Sequence, residues 1–423
     1  MPSSLEIELN AAGAAPVIVV LKQAAAAAAG GGALSASLAA ANPKDLKDFF
    51  LKSAESIGGA IVASLKAALK NAKGKAAIKS PPAMRIFPNL GVVYGTVDKE
   101  GYAALKKDKK RVKDVLRAPR PSLIQPVLKA AASAPMEVTW GIKRLNVPAL
   151  WDQGITGTGV LVGHLDTGVD GSHPALKTAL HAYAQFDVLG TRHDIESGNA
   201  TDSGDHGTHT AATIAGRPVG NSAVGVAPGA LLVSAQVIEG GDVVARILGG
   251  MDWAIEQQAR ILSMSLGFRG YVEDFLPLTQ IIRSKNILPV FAVGNEGPGT
   301  SRSPGNYAEA LSVGAAGEDE LVAEFSGSRK FDREDDPFVP DLVAPGVGVN
   351  SAAPGGGFQL MDGSSMATPH IAGLAALLMQ AKPEKTAAEI EQAIYKSCKR
   401  PASMPKARAN RGVPDAVKAL SQL

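Results

Sequence analysis

Hydrophobic positions fall into two regimes along this chain, and the change comes near Trp140. Before it, PVIVVLK (16–22) is a β-rich run, and residues 44–70 place Leu46, Phe49, Phe50, Ile57, Ile61 and Leu65 at helical spacing. RIFPNLGVVYGTVD (85–98) predicts two short strands around a turn at 89–91, KEGYAALKKD a short helix, and RVKDVLRA a final strand. The order β-α-β-β-α-β is the ferredoxin-like α+β plan, which hosts many functions and by itself assigns none. After Trp140, GVLVGHLD (159–166), ALLVSAQVI (230–238), ARILSMSLG (259–267) and ILPVFAVGN (287–295) are continuous apolar runs ending in Gly, Ser, Asp or Asn. Helical segments at 243–255, 276–284 and 366–378 lie between or after them. Apolar strands alternating with helices predict an α/β fold, a parallel sheet sandwiched by helices. In such sheets function gathers at the carboxyl ends of the strands.

Two stretches break these patterns. Residues 23–42 are an Ala/Gly-rich, low-complexity insert, and APRPSLIQPVLKAAASAP, starting at Ala118, carries four prolines among small residues. The expected organisation is a first domain at 1–117, a linker and processing segment at 118–136, and a large domain at 137–423.

Composition narrows the classes. Hydrophobic residues make up 45% and charged residues 20% of the chain, an ordinary globular balance. Apolar runs fall well short of the ~18–20 residues of a membrane helix, so no membrane association is expected. The single Cys398 excludes an intramolecular disulfide. Net charge is +3, too small to suggest a nucleic-acid partner. It hides an asymmetry: residues 1–135 hold 20 Lys and Arg against 9 Asp and Glu (+11), and the remainder holds 23 against 31 (−8). Two parts of opposite charge are expected to attract each other. The Lys-rich run 106–113 has no interleaved aromatics for base stacking and reads as a solvated helix face. The first twenty residues carry Glu6 and Glu8 where a secretory leader would be basic, so the expected location is cytoplasmic. Secretion remains the alternative if a leader is missing from this sequence.

Three polar motifs sit at predicted strand or helix ends. HLDTGVDGSHPAL puts Asp166 at the end of an apolar strand, DHGTHTAATIAG (205–216) has a His-Gly pair opening a small-residue helix, and in DGSSMATPHIAGLAALL (362–378) Ser365 opens an apolar helix. Each alone fits a turn or a cap. Together they offer a nucleophile, a base to take its proton, and a carboxylate to fix the base's tautomer. The chain order Asp, His, Ser is that of subtilisin.

The stretch from about Trp140 to Leu420 resembles the catalytic domain of the subtilisin-like serine proteases. GHLDTGVDGSHP, HGTHTAATIAG, GVAPGALL, SMSLG, FAVGNEG, LVAPGV and GSSMATPHIAGLAALL carry the resemblance in register. It implies a serine endopeptidase acting on protein or peptide substrates without a required cofactor. Asp166 would orient the imidazole of His206, Ser365 would be the nucleophile, and Asn295 would supply an oxyanion donor with the Ser365 N–H. Ser265, Leu266 and Gly267 would pair with substrate backbone and, with Gly294 and Glu296, wall the primary pocket. Arg302 and Ser303 would form its base. Arg302 either points inward to favour Asp or Glu, or points to solvent or pairs with Glu296 and leaves a broad apolar pocket. Met366, beside the nucleophile, would be open to oxidation.

The N-terminal pattern resembles the family's inhibitory prodomain, which implies a self-inhibited zymogen whose first domain binds the catalytic one and whose tail, around 118–136, runs toward the active-site cleft as a product-like strand. The family's high-affinity calcium site is expected to be lost, because the matching positions, Ala175 and Val219, have no side-chain oxygen. Zinc through His193 and His209 is disfavoured, since no HExxH is present. His173 and His370 read as loop braces, and His164, just before the catalytic strand end, as a core residue or a support for the catalytic groups. Two alternatives stay open: an inert pseudoprotease scaffold, and a transpeptidase or maturation enzyme using the same acyl intermediate.

Overall fold

A computed structural model describes residues 3–22, 84–187 and 190–423. The predicted helix at 44–70 and the insert at 23–42 lie outside the described residues. Contacts divide the chain into Met1–Pro119 and Arg120–Leu423.

In the first unit four antiparallel strands lie in the order Met84–Phe87, Val92–Asp98, Ala14–Leu21, Val112–Arg117. Side chains alternate across a strand, so Ala15, Val17, Val19 and Leu21 share one face. They pack with Leu5 and Leu9 of the helix Ser4–Ala12 and with Tyr102 and Leu105 of the helix Lys99–Lys107. The first of these helices had no predicted counterpart. A reciprocal cap fixes its start: Ser3 Oγ accepts from the Glu6 N–H, and Glu6 accepts from the Ser3 N–H.

The second unit is built on an eight-stranded sheet. Its order is Leu342–Pro345, Leu311–Ala316, Leu288–Ala292, Ile261–Met264, Leu161–Asp166, Leu231–Gln236, Leu180–Phe186, Arg192–Ile195. All pairings are parallel except that of the edge strand Arg192–Ile195. The four predicted apolar runs are central strands here. Leu180–Phe186, Leu311–Ala316 and Leu342–Pro345 were not predicted; LHAYAQF is interrupted by polar residues, LSVGAA is mostly small, and LVAP ends in proline. The run 259–267 is not one strand. Ile261–Met264 lies in the large sheet, whereas Leu266–Arg269 leaves it to pair antiparallel with Ser122–Leu123 on one side and Arg302–Ser303 on the other.

The strand Leu161–Asp166 is where the order reverses: the chain first builds outward on one side of it, then returns to build on the other. Ligand sites of open α/β sheets form at the carboxyl ends at such a point. The helix Ser364–Ala381, buried along almost its whole length, packs against strands Leu311–Ala316, Leu288–Ala292 and Ile261–Met264. An apolar surface all round is what a fully enclosed helix requires. Among the described residues no helix is long and apolar enough to cross a membrane.

Residues 120–132 belong to the second unit, with Leu128–Ala132 forming the edge strand beside Gly357–Asp362.

Candidate active site

Asp166 ends the strand Leu161–Asp166, and His206 opens the helix His206–Ala215. The two are joined by a 2.7 Å hydrogen bond, His206 Nδ1 to Asp166 Oδ1, and both are buried. The approach is possible because the chain has no side chains where the strand turn meets the helix. Gly168 adopts φ +121°, and a Cβ on Gly207 would lie 2.0 Å from the Gly168 carbonyl oxygen. Asp202, which sequence reasoning missed, holds the arrangement. Its carboxylate accepts from Thr208 N and Oγ1 and from Thr167 Oγ1, each at 2.7 Å, while Thr167 Oγ1 accepts from Gly207 N. Its signal in the sequence is an acidic residue placed to cap a helix start.

Burial alone would raise the Asp166 pKa, but the His206 imidazole and its hydrogen bond hold the carboxyl below its usual range. Burial likewise works against protonated His206, and the Asp166 charge outweighs it, so the imidazole titrates above its usual value. His206 Nε2 is buried and has no hydrogen-bond partner among the described residues.

Ser365 is the second residue of the helix Ser364–Ala381, where main-chain N–H groups have no partner within the helix. Asn295 is braced by its own oxygen: Oδ1 accepts from Ser364 N and Ser364 Oγ, both at 2.8 Å, which turns Nδ2 into the cleft. Asp166 and His206 thus meet at a strand end, and Asn295 meets the helix start that carries Ser365.

The cleft is filled by the chain itself. Ser122 pairs with Gly267 and Leu123 with Leu266, and Ile124 N–H donates to Ser265 O at 3.1 Å. Ile124 is fully buried. Ser365 Oγ donates to Ile124 O at 2.8 Å, and Asn295 Nδ2 donates to Gln125 O at 2.9 Å. Beyond Pro126, Val127 N donates to Asp362 O, and Lys129 pairs with Asp205. A cavity of about 590 Å³ beside His206 is lined by Leu123, Pro126, Glu239 and Arg246 among others.

Arg302 is only 5% exposed. Its Nε donates to Glu296 Oε1 at 2.8 Å, Nη2 pairs with the same oxygen, and Nη1 donates to Ser122 Oγ at 2.8 Å. Gly294, with φ +113°, leaves room for the Arg302 side chain, which a Cβ there would approach within 3.0 Å. Of the options raised for Arg302, the pairing with Glu296 is the one found here.

Other expectations resolve simply. Met366 is fully buried with Val349 and Met361, so the reading of an oxidation-prone neighbour is corrected. His173 braces Gly357 O and His370 the Met366 carbonyl. His209 is buried against Val349 O and His193 is exposed beside Asp187. Ala175 and Val219 offer no side-chain oxygen, so these positions do not fit a calcium ion held by side chains. Among the described residues no group of three or more His, Cys, Asp or Glu could hold a metal.

The subtilase family profile matches residues 157–416. The chain belongs to the subtilase family. It is 39% identical over 254 residues to an intracellular serine protease of Paenibacillus polymyxa, covering 58% of this chain and 73% of that one. It is 33% identical over 294 residues to subtilisin E of Bacillus subtilis (strain 168), covering 68% and 73%. To subtilisin Savinase of Lederbergia lenta it is 37% identical over 250 residues, covering 58% and 86%. This subtilase is accordingly a serine protease with the α/β fold of its family, acting on protein or peptide substrates.

Proposed function

We propose that this endopeptidase is made as a self-inhibited zymogen, with Ser365 as nucleophile, His206 as general base and then acid, Asp166 as its orienting carboxylate, and Asn295 as an oxyanion donor. The Ser365 Oγ proton passes to His206 Nε2 as Oγ bonds to the scissile carbonyl carbon. Asn295 Nδ2 and the Ser365 N–H stabilise the oxyanion. The C–N bond then breaks, the leaving amine takes the proton from Nε2, and water repeats the sequence on the acyl-enzyme. Asp166 Oδ1 accepts from Nδ1–H throughout. No step needs a cofactor.

The observation that carries the zymogen reading is the path of Ser122–Gln125 through the cleft. Its backbone pairs as a substrate strand would, and we assign the buried Ile124 to the primary pocket expected between Ser265–Gly267 and Gly294–Glu296. Yet the reacting groups are mismatched. Ser365 Oγ spends its proton on the Ile124 carbonyl instead of on His206, and Asn295 holds the next carbonyl, that of Gln125. The Ile124 carbonyl therefore lacks the donor that would stabilise its oxyanion. Pro126 restricts Gln125 to extended conformations and helps keep this register. The segment binds as a substrate and resists as an inhibitor. The bond we assign to slow processing is Ile124–Gln125, and the unit Met1–Pro119 is the prodomain that precedes it. Two readings extend the assignment: Ala175 and Val219 argue for a lost high-affinity calcium site, and the Paenibacillus polymyxa relative's designation as intracellular favours action in the cytoplasm.

Intact mass and N-terminal sequencing of wild type beside Ser365→Ala test this. Wild type should release a chain beginning at Gln125, and Ser365→Ala should remain at 43.4 kDa. If both stay at full length while wild type hydrolyses added peptides, the zymogen reading fails and the protease stands.

A further inference from the structure

His164 lies two residues before Asp166 on the same strand, so both side chains leave the same face of the sheet. It is 1% exposed, and both ring nitrogens meet hydroxyls: Nδ1 and Ser234 Oγ at 2.9 Å, Nε2 and Thr210 Oγ1 at 2.9 Å. Thr210 Oγ1 in turn lies 3.3 Å from Asp166 Oδ2, the carboxylate oxygen that His206 does not use. His164 Nε2 is itself 3.8 Å from that oxygen. An imidazole and two hydroxyls behind a carboxylate are costly to bury unless each proton has an acceptor.

We propose that His164 is a positioning residue for the catalytic reaction, acting on Asp166 through Thr210. Rotation of the Thr210 hydroxyl decides the outcome. Its single proton can go to Asp166 Oδ2, or back to the carbonyls of His206 at 3.1 Å and Gly207 at 3.2 Å in its own helix. With the proton of His164 on Nε2, that N–H donates to Thr210 Oγ1 and leaves the Thr210 proton for the carboxylate. The Ser234 hydroxyl, donating to Nδ1, fixes this tautomer. Burial pushes the His164 pKa down, so the ring stays neutral and does not compete with His206 for the carboxylate as a second cation.

The device sets both geometry and charge. A donor on Oδ2 stops the carboxylate from rotating away from His206 Nδ1, and it draws off part of the negative charge that raises the His206 pKa. Other ionisable groups bear on the pair. Asp202 and Asp205 approach from the loop before the histidine helix, with Lys129 paired to Asp205. Glu239 and Arg246, paired with each other, line the cleft on the other side. The strands flanking His164 present Ser234 and Ser263.

The inference rests on the roles assigned above to Asp166 and His206. The test uses full-length chains allowed to mature, with competent sites counted by a fluorophosphonate probe, and kcat and KM for one peptide followed against pH. His164→Val and Thr210→Val should lower kcat about three- to ten-fold with KM unchanged, and should raise the pKa of the acid limb by about half a unit. His164→Gln and Thr210→Ser, which restore a donor at each place, should recover most of both. Should His164→Val yield no titratable sites, the Thr210 pair decides alone. An acid limb unmoved in the valine variants, or Gln and Ser variants no better than Val, overturns the inference. A Ser365→Ala enzyme that still turned over the peptide would instead overturn the roles on which it rests.

Discussion

Arg302 and Ser122 are joined by a hydrogen bond of 2.8 Å from Nη1 to Oγ, made by a guanidinium whose other face is held by Glu296. Ser122 is the third residue before the bond assigned to processing, and residues one and three of an extended strand share a face. Arg302 thus meets the side chain at this third position, on the strand face that Ile124 shares.

The prediction is a preference at the third position. In peptides otherwise matching 120–126, Ser should be favoured over Ala there by about three- to ten-fold in kcat/KM, and Asp by more, as for hydrogen bonds to a charged group. In Arg302→Ala combined with Glu296→Gln, which leaves no unpaired carboxylate, the ratios should fall to about one. Measuring both sets of peptides on both enzymes decides it; equal ratios in the two enzymes would remove Arg302 from this role.

How much of this was legible beforehand follows from how local each signal is. Asp166, His206 and Ser365 stood out because each needs a strand or helix end and adjacent glycines within a few residues of sequence, and Gly168 and Gly207 show why. Four central strands were visible because both their faces are buried, which keeps them mostly apolar, with His164, Ser234 and Ser263 as exceptions. Leu180–Phe186 keeps His181 exposed and so lost that signature. What could not be read were relations across long chain separations. That a tail around 118–136 would run toward the cleft came from the family resemblance and not from any local signal, and nothing local tells which of its residues, Ile124, lies against Ser365, 241 residues away. His164, just before the catalytic strand end, read as either a core residue or a support for the catalytic groups, and the choice stayed open because its partners, Thr210 and Ser234, lie 46 and 70 residues distant.

Arg217 bears on the calcium expectation. Its N–H donates to Ala175 O at 2.8 Å, and its guanidinium donates to the carbonyls of Ala215 at 3.0 Å, Ala230 at 2.7 Å and Thr178 at 3.0 Å. A fixed cation on three main-chain carbonyls ties together the segments that carry Ala175 and Val219. Chelation with EDTA should then shift Tm by no more than about 2 °C, whereas Arg217→Ala should lower it by about 4–8 °C, taking about 2 kcal/mol for carbonyls left without donors. Thermal scans with and without chelator measure both. A drop of about ten degrees with EDTA, reversed by calcium, would mean that a hard cation carries this load after all.

Asp341 offers a test of stability against pH. With 13% of its side chain exposed, burial pushes its pKa up to about 7, against the pull of the Ser312 N–H and of Arg411. The sign follows from proton binding: a folded state that holds its proton to higher pH than the unfolded chain loses stability as pH rises between the two pKa values. For Asp341 that window runs from the ordinary aspartate value of 3.8 to about 7. Asparagine suits the site, because Ser312 N at 2.7 Å and Tyr395 OH at 2.9 Å both donate to the one oxygen Oδ2, which the amide oxygen can replace. Arg411 keeps Asp336 as its partner at 2.5 Å. Asp341→Asn should therefore match wild type in Tm near pH 4, gain on it steadily up to about pH 7, and hold a constant lead of several degrees above that. Melting curves at one-unit intervals from pH 4 to pH 9 measure the difference. A gap that stays flat across the window, or that closes as pH rises, would show that the wild-type carboxyl ionises in the folded protein without cost.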